Sequence, residues 1–432
     1  MTQSSRADRP RAGTDPSRVS FDRLSIVGAA LTFTVLGAVE SVYGPLLQAI
    51  HGRFDVSVPV AGITLTVHFI GVLVGVVAAM FLVRRIQGRW LMTGASLLVA
   101  CGCGAIALAR SWPEFACGVA VTGVGFGILD LLLNQLLSRT SARGRATRLT
   151  ALNGMFGFGA LVGPLLVDWL TPRRFSTLFG AFAVAALVIT LTPRGLVAAP
   201  IGSAVANEDR RSGWREHAIA RALGVERRSL LVGFLLGFVV YVAVETSVSG
   251  WIAVHLHAVG YPTSVGALVT AGFWGGMTVG RFAASWLGRF VSERVFVLGG
   301  LALALALSLA ARSAAVAPDL YPMIGLMLAP VFPMALSWYT KLEPSSAHGV
   351  SLLVVGSAVG GMIGPATQSL AVSNLGLGVV PTVTALLAFV DFCVFAGLVI
   401  RKVRPSERAG LVSQRPCGGR SRADRAMLES GL

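Results

Sequence analysis

Apolar segments of membrane-spanning length recur along almost the whole of this sequence. They lie at roughly 24–48, 60–83, 90–110, 113–138, 149–170, 175–198, 230–256, 264–288, 295–312, 319–340, 347–372 and 376–400. A helix needs about 20 such residues to cross a hydrocarbon core about 30 Å thick. Charged residues make up 13% of the 432-residue chain, against about 25% in soluble domains. An all-α membrane protein with twelve transmembrane helices is therefore predicted.

Arginine is concentrated in alternate loops, and this asymmetry predicts the orientation. Clusters precede run one, follow runs two and four, and fill the segment after run six and the C-terminal tail. Loops rich in Lys and Arg stay in the cytoplasm, so both termini and the central loop are expected there, in a multi-pass protein of the cytoplasmic (inner) membrane. The net charge of +16 is thus explained without nucleic acid. The first twenty residues contain no apolar core, so no cleavable signal peptide is predicted.

The two halves of the chain repeat each other in short matches. Ala-Val-Glu40 recurs as Ala-Val-Glu245, Gly71 and Gly75 correspond to Gly276 and Gly280, and Gly159 to Pro164 parallels Gly360 to Pro365. Repeats of this kind are typical of transporters built from two related bundles. The predicted organisation is a cytoplasmic tail (1–23), a six-helix bundle (24–198), a cytoplasmic central loop (199–228), a second six-helix bundle (229–401) and a cytoplasmic tail (402–432). The two bundles are expected to be related by pseudo-two-fold symmetry.

One polar stripe lies within the fourth run. Gly123, Gly127, Asp130 and Asn134 are spaced by four, three and four residues, so they share one face of a helix. A charged side chain near the bilayer centre costs about 2.5–3.5 kcal/mol. Asp130 is therefore expected to point into protein or into a polar cavity, with the glycines allowing close contact with another helix.

Five stretches carry a family resemblance: GILDLLLN in run four, RLTALNGMFGFGALVGP in run five, YVAVETSVSGW in run seven, TVGRFAASWLGRF in run eight and APVFPMALSW in run ten. With them the chain resembles the major facilitator superfamily of transporters, and within it the fucose–proton symporter branch. The resemblance covers all twelve runs and leaves out the tails and the central loop. It implies secondary active transport of a small polar solute, such as a sugar, coupled to protons. The stretch MFLVRRIQGR after run two lacks the acid of the family's Asp-Arg gating pair.

Three intramembrane acids are the candidate proton-coupling residues: Glu40, Asp130 and Glu245. A carboxyl group withdrawn from water binds a proton more readily, and alternate exposure to the two sides of the membrane would let it carry that proton. The structural alternative is a carboxylate satisfied by a helix-end amide or a serine. Acids inside a membrane are functional by default, which favours the first interpretation.

The candidate solute-binding residues combine hydrogen-bonding groups with aromatic surfaces, as a sugar site requires. They are Asn134, Tyr43, His68, Tyr241, Trp251, Trp274, Trp338 and Gln368. Alternatives stay open for five of them. Trp274 and Trp338 would also serve as packing residues, as aromatic side chains in membrane helices usually do. Asn134 and His68 would also serve as hydrogen-bonding partners of neighbouring helices, and Trp251 would serve equally as an interfacial anchor. Asp391 in run twelve has no partner that the sequence identifies.

Bends and gates are the third class of candidate. The pairs Gly163–Pro164 and Gly364–Pro365 are predicted hinges, because proline removes a helical N–H and glycine gives room to bend. Arg281 and Arg289, which flank Trp286 near the end of run eight, are predicted to make the gating-loop contact of the family and not to clamp the solute.

Enzymatic classes find no support in the sequence. It contains no Walker A motif, no Ser/His/Asp set and no cluster of metal ligands, so no catalytic residue, metal or cofactor is expected. The expected partners are a small solute, protons and the lipid bilayer, and a monomer is expected. Two other functions stay open: export of a drug or metabolite by proton antiport, and a receptor or scaffold that does not transport.

Overall fold

The chain folds into a bundle of long α-helices. The computed structural model describes residues 23–83, 85–138, 145–170, 175–192, 225–343 and 347–413, and no strand occurs among them. The helices are α1 (Arg23–Phe54), α2 (Val58–Leu82), α3 (Gly88–Leu108), α4 (Trp112–Ser138), α5 (Arg145–Leu170), α6 (Phe175–Ile189), α7 (Val225–Ala258), α8 (Thr263–Leu287), α9 (Glu293–Ala310), α10 (Ala317–Leu328), α11 (Val331–Leu342), α12 (Ala347–Leu375) and α13 (Val380–Ser413).

The predicted twelve membrane segments correspond to these thirteen helices, because run ten is interrupted. Helices α10 and α11 form one apolar segment, Ala317–Leu342, which breaks at Pro330, a residue without a backbone N–H. Eight segments of the described chain are long and apolar enough to span a membrane. Helices α8 and α12 are as long but contain many Gly, Ser and Thr residues, as expected of helices that pack between the halves.

The predicted tails and central loop fall mainly outside the described residues. Helix α7 begins at Val225, within the segment predicted as the central loop, and α13 continues to Ser413, into the predicted C-terminal tail. Extensions of this kind escape a hydropathy criterion because they are rich in charged residues, as in residues 226–228 and 401–404.

The first set of glycine contacts repeats between the N-terminal half (α1–α6) and the C-terminal half (α7–α13). A Cβ on Gly159 of α5 would run into the carbonyl oxygen of Thr34 on α1. A Cβ on Gly360 of α12 would run into the carbonyl oxygen of Val239 on α7. In both pairs the helix backbones approach so closely that only glycine fits. The repeat seen in the sequence is therefore a repeat of helix packing.

A second pair of helices repeats in the same register. Gly71 on α2 lies against the carbonyl oxygen of Ala120 on α4, and Gly276 on α8 lies against that of Pro322 on α10. The matches in sequence order thus have counterparts in space. One buried hydrophobic cluster lies mainly in the N-terminal half and a second mainly in the C-terminal half.

The halves contact each other through α2 with α12, α5 with α8, and α1 with α7. One end of this interface is closed. There, residues 41–47 of α1 and 246–256 of α7 are almost all buried, and a Cβ on Gly44 would lie 2.6 Å from the carbonyl oxygen of Ser249. We call this region the closed end. Towards the other ends of α1 and α7, exposed and partly exposed residues become frequent.

Candidate functional site

Four ionisable side chains from four helices converge between the two halves. Glu40 on α1 experiences the charges of Asp130 on α4, Glu245 on α7 and Arg281 on α8. All four residues are partly exposed. We call this set the central cluster. It brings together the three acids that the sequence analysis singled out and adds a cation.

Asp130 is held by its neighbour on the same helix. The Asn134 side-chain amide donates hydrogen bonds to the Asp130 carboxyl Oδ1 at 3.0 Å and to the Asp130 backbone carbonyl at 2.9 Å. Earlier in the stripe, Gly123 and Gly127 pack against the backbone carbonyls of His68 and Val72 on α2. The spacing of the stripe thus places glycine at the helix contact and the polar pair beyond it, next to the central cluster.

Glu245 forms an ion pair with Arg281. The guanidinium Nη2 lies 3.6 Å from the carboxyl Oε1, and the two side chains are 36% and 12% exposed. Tyr241 stands one turn earlier than Glu245 on α7. It donates to the backbone carbonyl of Leu328 at 3.1 Å, beside the break between α10 and α11.

Arg281 therefore occupies a different place from Arg289, with which the sequence analysis grouped it. Arg289 lies in the exposed turn that follows α8, whereas Arg281 reaches into the central cluster. Its position gave a signal: it stands inside the apolar run between Gly280 and Phe282, where an unpaired cation is costly. The sequence did not identify its partner, because the ion pair joins residues on two different helices.

The charges of the central cluster are unequal between the halves. Among the described residues, neither Glu40 nor Asp130 has a cation within ion-pair distance, and Glu245 has Arg281. Three carboxyl groups face one guanidinium group, so binding of a proton or a cationic group relieves repulsion between like charges. No three acidic, histidine or cysteine side chains of the described chain are close enough together to hold a metal ion.

Tyr43 and His68 lie inside the core of the N-terminal half. Their rings are 5.1 Å apart between centroids, and His68 also contacts Phe126 at 5.3 Å. His68 is 1% exposed. Within the described part of the chain, neither nitrogen of the His68 ring nor the Tyr43 hydroxyl has a hydrogen-bond partner.

Two candidate tryptophans lie where the halves meet. Trp251 is fully buried, and its ring lies over Gly62 of α2, so it seals the closed end and does not serve as an anchor at the lipid interface. Trp274 on α8 contacts Phe156 of α5 edge-on at 6.4 Å. Both rings therefore contribute to the contact between the halves.

Trp338 and Gln368 have their contacts within the C-terminal half. Trp338 packs against Phe234 at 5.1 Å and Phe395 at 6.2 Å. The Gln368 amide donates hydrogen bonds to the Val380 carbonyl at 3.0 Å and the Thr384 hydroxyl at 3.2 Å. None of these contacts involves the central cluster, and a role of either residue in solute binding stays a prediction.

The proposed hinges occupy equivalent positions in the two halves. Pro164 lies within α5 and Pro365 within α12. The glycine before each packs against the facing helix: Gly163 lies against α1 and Gly364 against α7. Each proline thus adjoins one of the tight contacts that repeat between the halves.

Comparison with known proteins agrees with this fold. Residues 29–342 match the family model of the Major Facilitator Superfamily, and the chain belongs to that superfamily. It is a multi-pass membrane transporter and not an enzyme. It is 24% identical over 380 residues to YcaD, an uncharacterised MFS-type transporter of Escherichia coli O139:H28 (strain E24377A / ETEC), a match that covers 84% of this chain and 92% of YcaD.

Solved structures of transporters share the fold. A D-xylose–proton symporter superposes with a TM-score of 0.71 at 12% identity, covering 87% of this chain and 97% of that one. A peptide transporter in complex with sulfate gives a TM-score of 0.69 at 15% identity, covering 88% and 94%. At such identities the likeness establishes the fold alone.

Proposed function

We propose that this protein is a secondary active transporter that couples movement of a small polar solute, with a sugar as the first candidate, to protons by alternating access. The observation that carries the proposal is the central cluster. Glu40 and Asp130 on the N-terminal half face the Glu245–Arg281 ion pair on the C-terminal half. Groups that belong to different halves change their separation and exposure when the halves move.

The orientation expected from the arginine distribution implies a direction in which the site opens. With both termini in the cytoplasm, α1 and α7 run outward, so the closed end lies on the outer side and the central cluster faces the cytoplasm. Proton release from Glu40 or Asp130 would then occur to the cytoplasm. A cysteine placed at Ser203 tests the orientation: an impermeant thiol reagent should label it only after the membrane is opened, and labelling in intact cells would refute the topology.

The residues near the central cluster supply contacts for a hydroxylated solute. Asn134 and Tyr241 offer an amide and a phenol beside the acids, and Glu245 and Arg281 accept and donate hydrogen bonds. The sequence resemblance to the fucose–proton branch and the structural likeness to a D-xylose–proton symporter support the choice of a monosaccharide as the first probe.

The experiment is a solute screen with the purified full-length protein in proteoliposomes. Labelled monosaccharides, dipeptides and a lipophilic cationic dye are tested for counterflow and for accumulation driven by an imposed pH gradient. The expected result is sugar accumulation that is driven by the proton gradient. This accumulation should be lost in Asp130→Asn. Binding of a solute without any translocation would instead indicate a receptor.

Export by proton antiport is the second candidate. Three carboxyl groups around one guanidinium favour a cationic solute, and Gly159-x-x-x-Gly163-Pro164 partly matches the run-five signature of antiporters. Dye movement in the direction opposite to proton flow, together with an absence of sugar counterflow, would support this function. A scaffold is disfavoured, because it has no need for acids that are costly inside a membrane.

A further inference from the structure

The described part of the chain contains two buried tyrosine–histidine pairs, one in each half, and they differ in their hydrogen bonding. In the C-terminal half, the Tyr321 hydroxyl of α10 lies 2.8 Å from Nδ1 of His255 on α7, so the two groups satisfy each other. In the N-terminal half, the rings of Tyr43 and His68 are closer, at 5.1 Å between centroids against 5.9 Å. Nevertheless, the Tyr43 hydroxyl and both ring nitrogens of His68 have no hydrogen-bond partner among the described residues.

Three orphaned polar atoms in one place require a partner. Leaving a buried polar group unsatisfied costs about 1–3 kcal/mol, and such groups are nearly always satisfied by protein or by ordered water. The rings around the pair offer no side-chain hydrogen bond. His68 contacts Phe69 at 5.5 Å and Phe126 at 5.3 Å between centroids, and the Tyr43 ring lies 6.3 Å from that of Phe179. The missing partner is therefore a bound molecule.

The Tyr43–His68 pair lies one helical turn from the acids of the central cluster. Tyr43 is three residues after Glu40 on α1, and residues with this spacing share a helix face. Phe126, against which His68 packs, is one turn before Asp130 on α4. Tyr43 also belongs to the closed end. The pair thus connects the closed end with the central cluster.

Water is the ligand that matches these groups. A phenol and a neutral imidazole each donate and accept hydrogen bonds, and a buried water molecule needs two to four polar partners. Both side chains are almost completely buried, which favours a molecule of the size of water over a solute ring.

We propose that Tyr43 and His68 bind water between them, and that this hydrated pair passes protons between the closed end and the central acids. The second part rests on the proposed function. In each transfer the water oxygen accepts one proton and the water releases another, so one proton enters, one leaves and the charge of the site is unchanged. The Tyr321–His255 pair has no such role, because its two members occupy each other.

Radiolytic footprinting of the full-length protein in detergent tests the water site without knowledge of the solute. X-rays convert bound water into hydroxyl radicals, which oxidise the adjoining side chains, and mass spectrometry of peptides measures the rate. Tyr43 should be oxidised several-fold faster than Tyr321, the matched control, although both are buried. Equally slow oxidation of the two tyrosines would overturn the water site. This comparison uses the wild-type protein and does not depend on the folding of a variant.

A solute hydroxyl is the other possible occupant of the pair. The monosaccharides and dipeptides of the solute screen, added to dialysed protein, should leave the oxidation of Tyr43 unchanged. Protection of Tyr43 by one of them would show that the pair binds solute and would overturn the proposal.

The proton route is tested in proteoliposomes with a solute from the screen. His68→Phe removes both ring nitrogens and should slow accumulation driven by a pH gradient by about tenfold or more, with solute exchange retained. His68→Gln, which keeps a donor and an acceptor for water, should restore much of the rate, and Tyr321→Phe should leave it unchanged.

Two results would refute the proton route. One is an unchanged pH-driven rate in His68→Phe, and the other is an equal loss of exchange and accumulation, which would indicate a role in solute binding. Accumulation in wild type that is independent of the pH gradient would refute the proposed function itself. Footprinting decides the water site separately in that case.

Discussion

The two halves of this transporter share their helix packing and differ in their charges. Glycines at equivalent positions bring α5 against α1 and α12 against α7 through the same carbonyl contacts. The acids are arranged differently. In the N-terminal half, Glu40 and Asp130 have no cation among the described residues, whereas Glu245 in the C-terminal half is paired with Arg281.

This difference suggests that the shared helix contacts serve movement of the halves, whereas the differing charges serve proton and solute binding. Close backbone contacts can tolerate little change, so both halves keep them, and a rigid bundle can move as one body. Side chains that face the interface can diverge without disturbing that packing. We infer that proton coupling depends more on the N-terminal half and solute binding more on the C-terminal half, and the following experiments test this division.

The largest effect is expected from filling the repeated glycine contacts. Gly159→Leu and Gly360→Leu should each prevent recovery of folded protein, because overpacking costs about 1–3 kcal/mol even where side chains can yield and here the opposing atom is a backbone carbonyl. Size-exclusion chromatography and thermal unfolding measure the result.

Each half offers a matched control. A Cβ on Gly104 of α3 or Gly397 of α13 meets open space, so leucine there should be tolerated. If Gly159→Leu were harmful and Gly360→Leu harmless, the packing of the two halves would not be equivalent.

Next in size is the effect of neutralising the acids. Asp130→Asn and Glu40→Gln should abolish proton-driven accumulation and spare solute exchange, which requires no net proton movement. Glu245→Gln should weaken solute binding more than coupling. Accumulation and counterflow in proteoliposomes distinguish the two, with Asp168→Asn as the control. Asp130→Asn protein that still concentrates its solute with normal pH dependence would contradict the division.

A smaller effect concerns the stability of the Glu245–Arg281 pair. Breaking a buried ion pair costs about 3–5 kcal/mol, but Arg281 is 36% exposed, so a coupling energy of about 1–2 kcal/mol is expected after screening by water. A double-mutant cycle of Glu245→Gln and Arg281→Gln on thermal unfolding measures it.

The matched pair for that cycle is Glu293–Lys341, whose side chains are 20% and 66% exposed. Its coupling should be below about 1 kcal/mol. Equal values for the two pairs would mean that the central pair gains nothing from its position between the halves.

The smallest effect is expected at the proposed hinges. Pro164→Ala and Pro365→Ala restore a helical N–H and should each change the transport rate by about threefold, with solute affinity and the unfolding temperature unchanged. Similar effects in both halves would support a symmetric pivot. Variants that only lower expression would show that the prolines are structural.

Individual residues show how far the sequence alone could predict the site. Glu40, Asp130 and Glu245 were selected by their cost in a membrane, and all three meet in the central cluster. Trp338 and Gln368 were selected as an aromatic surface and a hydrogen-bonding group for a solute, but their contacts lie within the C-terminal half. In a helix that is apolar all round, the sequence does not reveal which face meets the neighbouring helices.

Tertiary contacts decided the pairings. The partner of Arg281 and the isolation of Asp391, whose carboxyl oxygens have no hydrogen-bond partner among the described residues, depend on how α7, α8 and α13 are rotated and placed against one another, which no local pattern encodes.

The sequence by itself determined the number of membrane segments, the repeat of two halves and the presence of costly buried acids, because span length, glycine spacing and charge are local properties of the chain. Only the tertiary structure decided which acids meet, which of them is paired with a cation and which end of the interface is closed. These features are set by distances between residues far apart in sequence, and electrostatic energy depends on those distances and on burial.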